Sequence, residues 1–171
     1  MSKKFLTLVY LATLFLFLSL SVDGQSELKK LSLTELDSIG FYHLNQFDYN
    51  KATPYFNELI ERADKEANHK MYLQGLNKMG SLNKNFGYYE EAEIYYKKAI
   101  DYANSQDKMK LLTYYSPVIN NLALLYQGLG RFDEAESLFR ENLKLVKETE
   151  GTKSIAYLKN LNNMAVLYRR Q

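Results

Sequence analysis

Apolar residues recur every three or four positions between residues 119 and 139, the period of a helix that buries one face. One stripe ends at Gly128 and Gly130, and a second begins immediately after them. The two stripes consist of Ile119, Leu122, Ala123 and Tyr126, and of Phe132, Ala135 and Phe139. Two amphipathic stripes joined by a short glycine turn predict a hairpin of two antiparallel helices, with the small alanines at their closest approach.

The same pattern returns along the chain at nearly constant spacing. Gly87 and Ala92 stand 43 residues before Gly130 and Ala135, and a weaker copy contains Ala52, 40 residues before Ala92. A fourth copy has Ala165, which follows Ala123 by 42 residues. Self-similarity at a fixed period predicts a stack of repeated hairpins.

This order of large, small and aromatic residues resembles the tetratricopeptide repeat. The resemblance implies an all-α, right-handed α-solenoid over residues 33–171. Its units would span about 33–68, 69–105, 107–149 and an incomplete repeat at 152–171. Because the steps exceed the ~34 residues of the ordinary repeat, the array is similar to the longer subclass found in kinesin light chains and many bacterial regulators.

The first 24 residues have the layout of a secretory signal peptide. Lys3 and Lys4 precede a mostly apolar run from Phe5 to Leu20, and small residues surround a cleavage point after Gly24. Residues 25–32 would then be a short lead-in to the repeats. We therefore expect export to the periplasm, the cell surface or the medium. The alternative is a membrane anchor formed by residues 5–20 if they are not cleaved.

Helix starts can be predicted from capping residues. Ser32 with Glu35, or Thr34 with Asp37, would cap the first helix. Asp48 would begin the second helix, with Pro54 near its first turn. Further on, Ser116–Pro117 predicts a kink or a new helix start, because the residue before proline avoids helical angles. Asp133 is expected to cap the following helix.

Two positions depart from the family pattern. Phe47 stands where a turn glycine is usual, and Asn83 stands where a large residue is usual. Either Asn83 is paired with a backbone group or its hairpin packs less well.

Composition and motifs argue against catalysis in this segment. The chain has no cysteine, and its formal net charge of +2 gives no case for a nucleic-acid partner. His43 and His69 are isolated, so no metal site is expected. Gly128 and Gly130 lack the third glycine of a dinucleotide fingerprint, and no cofactor is predicted. The acidic residues of the 90–93 segment are expected to be solvated in the first turn of a helix, where the helix dipole favours them.

The resemblance implies a concave groove lined by the first helix of each repeat. The residues it places there are Asn77, Ser81, Lys84, Asn120, Leu124, Gln127, Asn162, Val166 and Arg169, with Asn121 and Asn163 beside them. Because a side-chain amide can both donate and accept, these asparagines could hold an extended peptide. The alternative is that they only brace neighbouring helices. The Lys–Asn set with which some relatives clamp a C-terminal carboxylate is not matched, since Asp37 and Phe41 occupy those positions.

We therefore expect an exported scaffold that binds a protein or peptide. The fourth repeat lacks its second helix, which favours a longer protein. An alternative is the sensory region of a bacterial signalling protein, with a histidine kinase, a CHAT protease or a DNA-binding domain beyond Gln171. A third possibility is an array that mediates self-association.

Overall fold

The fold is a series of helices joined by short turns. The computed structural model describes Gly24, residues 26–107 and residues 109–170, so the predicted signal peptide lies almost entirely outside the described residues. A helical turn at residues 26–30 precedes seven helices. Their bounds are α1 Leu33–Asn45, α2 Tyr49–Lys65, α3 His69–Asn85, α4 Tyr89–Ser105, α5 Leu112–Gly128, α6 Phe132–Thr149 and α7 Ile155–Arg170. None of the described helices has both the length and the apolar character needed to cross a bilayer.

The helices pack in two layers. Each helix contacts the next one along the chain, and α1, α3, α5 and α7 also contact one another in that order. The first helices of the hairpins therefore form one layer, and α2, α4 and α6 form the other. A continuous core of leucine, alanine and aromatic side chains runs between the layers. This arrangement is that of an α-solenoid.

Small residues allow the paired helices to approach closely, as the sequence predicts. A Cβ atom placed on Gly40 would lie 2.7 Å from Cε1 of Phe56. A Cβ on Gly80 would overlap the ring of Tyr96. The glycines of α1 and α3 thus form seats for aromatic side chains of α2 and α4.

The turns between paired helices use left-handed backbone at one equivalent position. Gly87 and Gly130 have φ angles of +82° and +75°. Phe47 has a φ of +55° at the corresponding point of the first hairpin, and its side chain is 69% exposed. Phe47 therefore carries backbone strain that glycine avoids in the later turns.

The start of α1 confirms one of the two predicted caps. The Ser32 hydroxyl accepts a hydrogen bond from the Glu35 N–H at 3.3 Å, and the Glu35 carboxylate accepts one from the Ser32 N–H at 2.7 Å. Asp48 caps α2 by accepting from the Lys51 N–H at 3.1 Å. Pro54 lies in the second turn of α2, one turn further in than predicted.

Two other predicted helix starts are wrong. Helix α5 begins at Leu112 and continues through Ser116 and Pro117, so Ser116 is not a cap. Proline has a helical φ, and its lack of an N–H affects only one intrahelical hydrogen bond. Helix α6 begins after Arg131, and Asp133 lies in its first turn without capping it.

The polar side chain of Asn83 is satisfied inside the second hairpin. Its Nδ2 donates to the Met79 carbonyl at 2.8 Å, and its Oδ1 accepts from the Tyr49 hydroxyl at 3.1 Å. The first of the two alternatives for Asn83 is therefore correct, and the bond to Tyr49 also ties α2 to α3.

Candidate functional site

Polar side chains connect each first helix to the next. Lys78 of α3 forms an ion pair with Asp37 of α1, with 2.5 Å between Nζ and Oδ1. Asn121 Nδ2 donates to Asn77 Oδ1 at 2.9 Å. Asn163 Nδ2 donates to Asn120 Oδ1 at 2.7 Å. We call the side of the molecule that carries these links the first-helix surface.

The two asparagine pairs keep part of their hydrogen-bonding capacity. Each pair uses one N–H and one carbonyl for its internal bond, and no other partner of these four side chains is found among the described residues. One amide group in each pair therefore has a free N–H₂ and the other a free oxygen. This remains true if both amides are turned over together. Bracing the scaffold and binding a ligand are thus compatible roles.

A cavity of about 920 Å³ lies beside the second asparagine pair. We call it the asparagine cavity. It is lined by residues of α5, α6, α7 and the connector before α7, namely Ser116, Pro117, Asn120, Asn142, Glu150, Ile155, Ala156, Leu158, Lys159, Asn160, Asn162 and Asn163. Ile155 and Leu158 are 72% and 54% exposed, so part of its wall is apolar and accessible.

Asn142 is the most deeply buried residue of the asparagine cavity. Its Nδ2 donates to the Ser116 carbonyl at 3.1 Å and to Asn160 Oδ1 at 2.9 Å. Asn160 Nδ2 donates in turn to the Ala156 carbonyl at 3.0 Å. Because these partners are acceptors, the orientation of both amides is fixed. Asn142 Oδ1 is left without a hydrogen-bond donor among the described residues.

A second cavity, of about 310 Å³, lies at the other end of α5. We call it the Lys84 cavity. Lys84 of α3 is half-buried in it, and the remaining lining consists of Tyr89, Leu124, Leu125, Gly128 and Leu129. Lys84 has neither an ion pair nor a hydrogen bond within the described chain. Burial lowers the pKa of its ammonium group.

The structure brings most of the predicted groove residues onto this surface. Asn120, Asn162 and Asn163 meet in the asparagine cavity, whereas Lys84 and Leu124 share the other cavity. Asn162 is exposed and has no hydrogen-bond partner among the described residues. Arg169 is exposed near the end of α7, and Val166 is half-buried.

Two predicted groove residues are placed differently. Gln127 is only 5% exposed and its Nε2 has no partner in the described part of the chain, so it faces the interior. The Ser81 hydroxyl lies 3.1 Å from the Tyr96 hydroxyl, and this contact turns it towards its own hairpin. A helical face predicted from spacing alone is too broad to exclude such edge positions.

Sequence reasoning missed several residues of the asparagine cavity. Pro117 was interpreted only as a helix breaker, although it stands three residues before Asn120 and therefore shares its helical face. Asn142 belongs to α6, outside the layer in which ligand contacts were expected. Its polar side chain within an otherwise apolar helical face is the signal that could have identified it.

The acidic 90–93 segment also differs from the prediction. Glu90 and Glu91 are exposed, but the side chain of Glu93 is only 19% exposed and pairs with Arg131 of the next hairpin. The predicted ion pair between Glu93 and Lys97 is present, with 2.6 Å between the charged atoms. Glu93 therefore connects hairpins instead of being solvated, which the sequence of its own helix could not reveal.

Comparison with known families decides what kind of fold carries this surface. Residues 73–106 and residues 114–171 match two family models, both described as tetratricopeptide repeats. The chain is a tetratricopeptide-repeat protein. The resemblance seen in the sequence is thereby confirmed, while the long-repeat subclass stays a prediction. Tetratricopeptide repeats in general mediate protein–protein interactions.

A solved structure has the same fold as this tetratricopeptide-repeat protein. The crystal structure of BtubC (BKLC) from P. vanneervenii matches 89% of the chain with a TM-score of 0.73 and 20% sequence identity. The chain spans 63% of the length of that structure. At this identity the likeness concerns the fold alone. A comparison with curated proteins gives no match.

Proposed function

We propose that this protein binds an extended segment of another protein on its first-helix surface. The observation that carries the proposal is the free amide donor and acceptor left by each interhelical asparagine pair, Asn77 with Asn121 and Asn120 with Asn163. A peptide backbone offers one N–H and one C=O per residue, which are the complementary groups. The repeat of these pairs from one hairpin to the next suits a ligand that crosses several helices.

The asparagine cavity supports the same proposal. Its volume of about 920 Å³ lies within the range of sites that bind small ligands or side chains. Pro117, Ile155 and Leu158 would contact an apolar side chain of the ligand. The asparagine amides would fix the ligand backbone, so that apolar contact supplies affinity and hydrogen bonds supply orientation.

The proposal includes the setting in which binding takes place. We infer that the protein acts after export, in the periplasm, at the cell surface or in the medium, because residues 1–24 have the layout of a signal peptide. We also infer a scaffold role within a longer protein of the long-repeat subclass. The exposed Leu161 and Tyr168 of α7 support this part, since the equivalent positions of the third hairpin are buried.

Binding to a selected peptide tests the function. Peptides would be selected from a random display library on the purified protein, and their affinities measured by calorimetry. Asn162→Leu removes an exposed amide that braces nothing in the described structure. It should weaken binding by about fivefold, the value of one hydrogen bond of ~1 kcal/mol.

Asn50→Leu, at an exposed position of α2, is the matched control and should leave affinity unchanged. Equal affinities for the wild type, Asn162→Leu and a double Asn77→Leu/Asn120→Leu variant would contradict the proposal. So would a library that yields no binding peptide.

A further inference from the structure

Charge is divided unequally between the two layers of the fold. Helices α3, α5 and α7 contain no aspartate or glutamate, and they carry six basic side chains: Lys70, Lys78, Lys84, Lys159, Arg169 and Arg170. The acidic residues lie largely on the second helices α2, α4 and α6. The nearly neutral net charge of the chain therefore conceals a cationic layer, which favours anionic ligands.

Lys84 lacks the carboxylate that its neighbour in α3 possesses. Lys78 is paired with Asp37, and both side chains are about one-fifth exposed. Lys84 is half-buried among Tyr89, Leu124 and Leu129 and has no acidic partner in the described structure. A partly desolvated cation without a counterion is unfavourable unless something pairs with it. A carboxylate in the Lys84 cavity would supply that partner while its apolar neighbours contact the leucines.

One face of α5 connects the two cavities. Pro117 and Asn120 line the asparagine cavity, and Leu124 and Gly128 line the Lys84 cavity. These residues are spaced by three or four, so they lie along one side of the helix. The distance along α5 from Pro117 to Gly128 is about 16 Å, at 1.5 Å per residue. An extended peptide covers about 3.3 Å per residue, so about five residues would bridge the cavities.

We propose that the ligand of the first-helix surface is an acidic extended peptide. A carboxylate of the peptide occupies the Lys84 cavity, and an apolar side chain about five residues away contacts Pro117, Ile155 and Leu158 in the asparagine cavity. The carboxylate belongs to an aspartate or glutamate within the peptide. This inference rests on the proposed function and assigns its charge, its spacing and the residue that selects it.

Peptide selection on wild-type protein and on charge variants tests the inference. Peptides selected on the wild type should be enriched in aspartate or glutamate at four to six positions from a large apolar residue. Lys84→Met should weaken their binding about tenfold or more, and Lys84→Arg should retain most of it. Selection on Lys84→Glu should yield lysine or arginine at the same spacing. Lys144→Met, which removes an exposed lysine of α6, is the control and should have no effect.

The possible results separate this inference from the function on which it rests. If Asn162→Leu weakens binding but Lys84→Met does not, or if the peptides lack acidic residues, the first-helix surface binds peptides and the assignment to Lys84 is wrong. If neither variant affects binding, both proposals fail. Synthetic peptides with an amidated C-terminus should bind as well as free acids. Loss of binding on amidation would overturn the assignment to an internal side chain.

Discussion

Arg131 directs its guanidinium group to Glu93 of the preceding hairpin, with 2.6 Å between Nη1 and Oε2. The guanidinium carbon also lies 3.8 Å from the ring centroid of Tyr126, whose hydroxyl donates to the same carboxylate at 2.9 Å. Glu93 thus joins the second and third hairpins through three donors, the third being Lys97. This network holds α4 against α5 and the start of α6, and so helps to fix the angle between neighbouring first helices.

We predict that Glu93→Gln destabilises the protein by about 2 kcal/mol at pH 7. Burial would raise the pKa of Glu93, but hydrogen bonds from Arg131, Lys97 and Tyr126 outweigh it and lower the pKa to about 2. A depressed folded-state pKa means that the stabilisation is complete above the ordinary value of 4.5 and is lost as the pH falls from there towards 2.

Urea denaturation at pH 7 and at pH 2.5 measures this effect. The difference in unfolding free energy between the wild type and Glu93→Gln should be large at pH 7 and should shrink at pH 2.5. Glu91→Gln changes an exposed carboxylate of the same helix turn and should differ little from the wild type at either pH. A Glu93→Gln deficit that does not depend on pH would contradict the assignment.

Asn142 should be essential to the packing between the third hairpin and α7. Asn142→Leu should destabilise the protein by about 2 kcal/mol, since it leaves the Ser116 carbonyl and Asn160 Oδ1 without their donor. Asn142→Asp should cost more, because a buried carboxylate would face two acceptors. Chemical denaturation compares both with Asn57→Leu, an exposed change on α2. A smaller loss for aspartate than for leucine would show that Asn142 is oriented the other way.

Phe47 offers a route to higher stability. Phe47→Gly should raise the free energy of unfolding by roughly 0.5–1 kcal/mol, because relief of left-handed strain exceeds the entropy cost of glycine. The reciprocal change, Gly87→Ala, should lower it by about 1 kcal/mol at a φ of +82°. Thermal unfolding of the two variants gives shifts of opposite sign. Shifts of the same sign would refute the equivalence of the two turns.

The seats for aromatic side chains can be tested with one glycine in contact and one that is free. Gly80→Ala should destabilise the protein by about 1–3 kcal/mol, since its Cβ would overlap the Tyr96 ring. Gly128→Ala should be neutral or slightly stabilising, because nothing lies within 4 Å of its Cβ and alanine favours helix. The two unfolding free energies would coincide if helix propensity alone governed both sites.

The repeated hairpins could be predicted from sequence because their determinants are local. Gly87 and Gly130 mark turns, and the spacing of apolar residues sets the buried faces, so the predicted helix ends near Asn45, Phe86 and Asn104 agree with the structure within two residues. Helix α5 is the exception. Packing of its first turn, with Leu112 and Tyr115 buried, outweighs the local tendency of Ser116–Pro117 to start a new helix.

The functional surface could be predicted only in part because it depends on contacts between repeats. The first-helix asparagines could be located by counting, but their pairing across helices needs the relative position of α3, α5 and α7. Whether an edge residue such as Gln127 faces solvent depends on the rotation of its helix by a few tens of degrees. The roles of Glu93 and Asn142 involve partners more than 15 residues away in the chain.

The side-chain amide spectrum of the labelled protein, recorded while a selected acidic peptide is added, tests the central claim most directly. We predict that the NH₂ signals of Asn77, Asn120, Asn162 and Asn163 shift together and saturate at one peptide concentration, while those of Asn50 and Asn57 on α2 stay unchanged. Shifts confined to α2, α4 and α6, with the first-helix asparagines unaffected, would contradict the account.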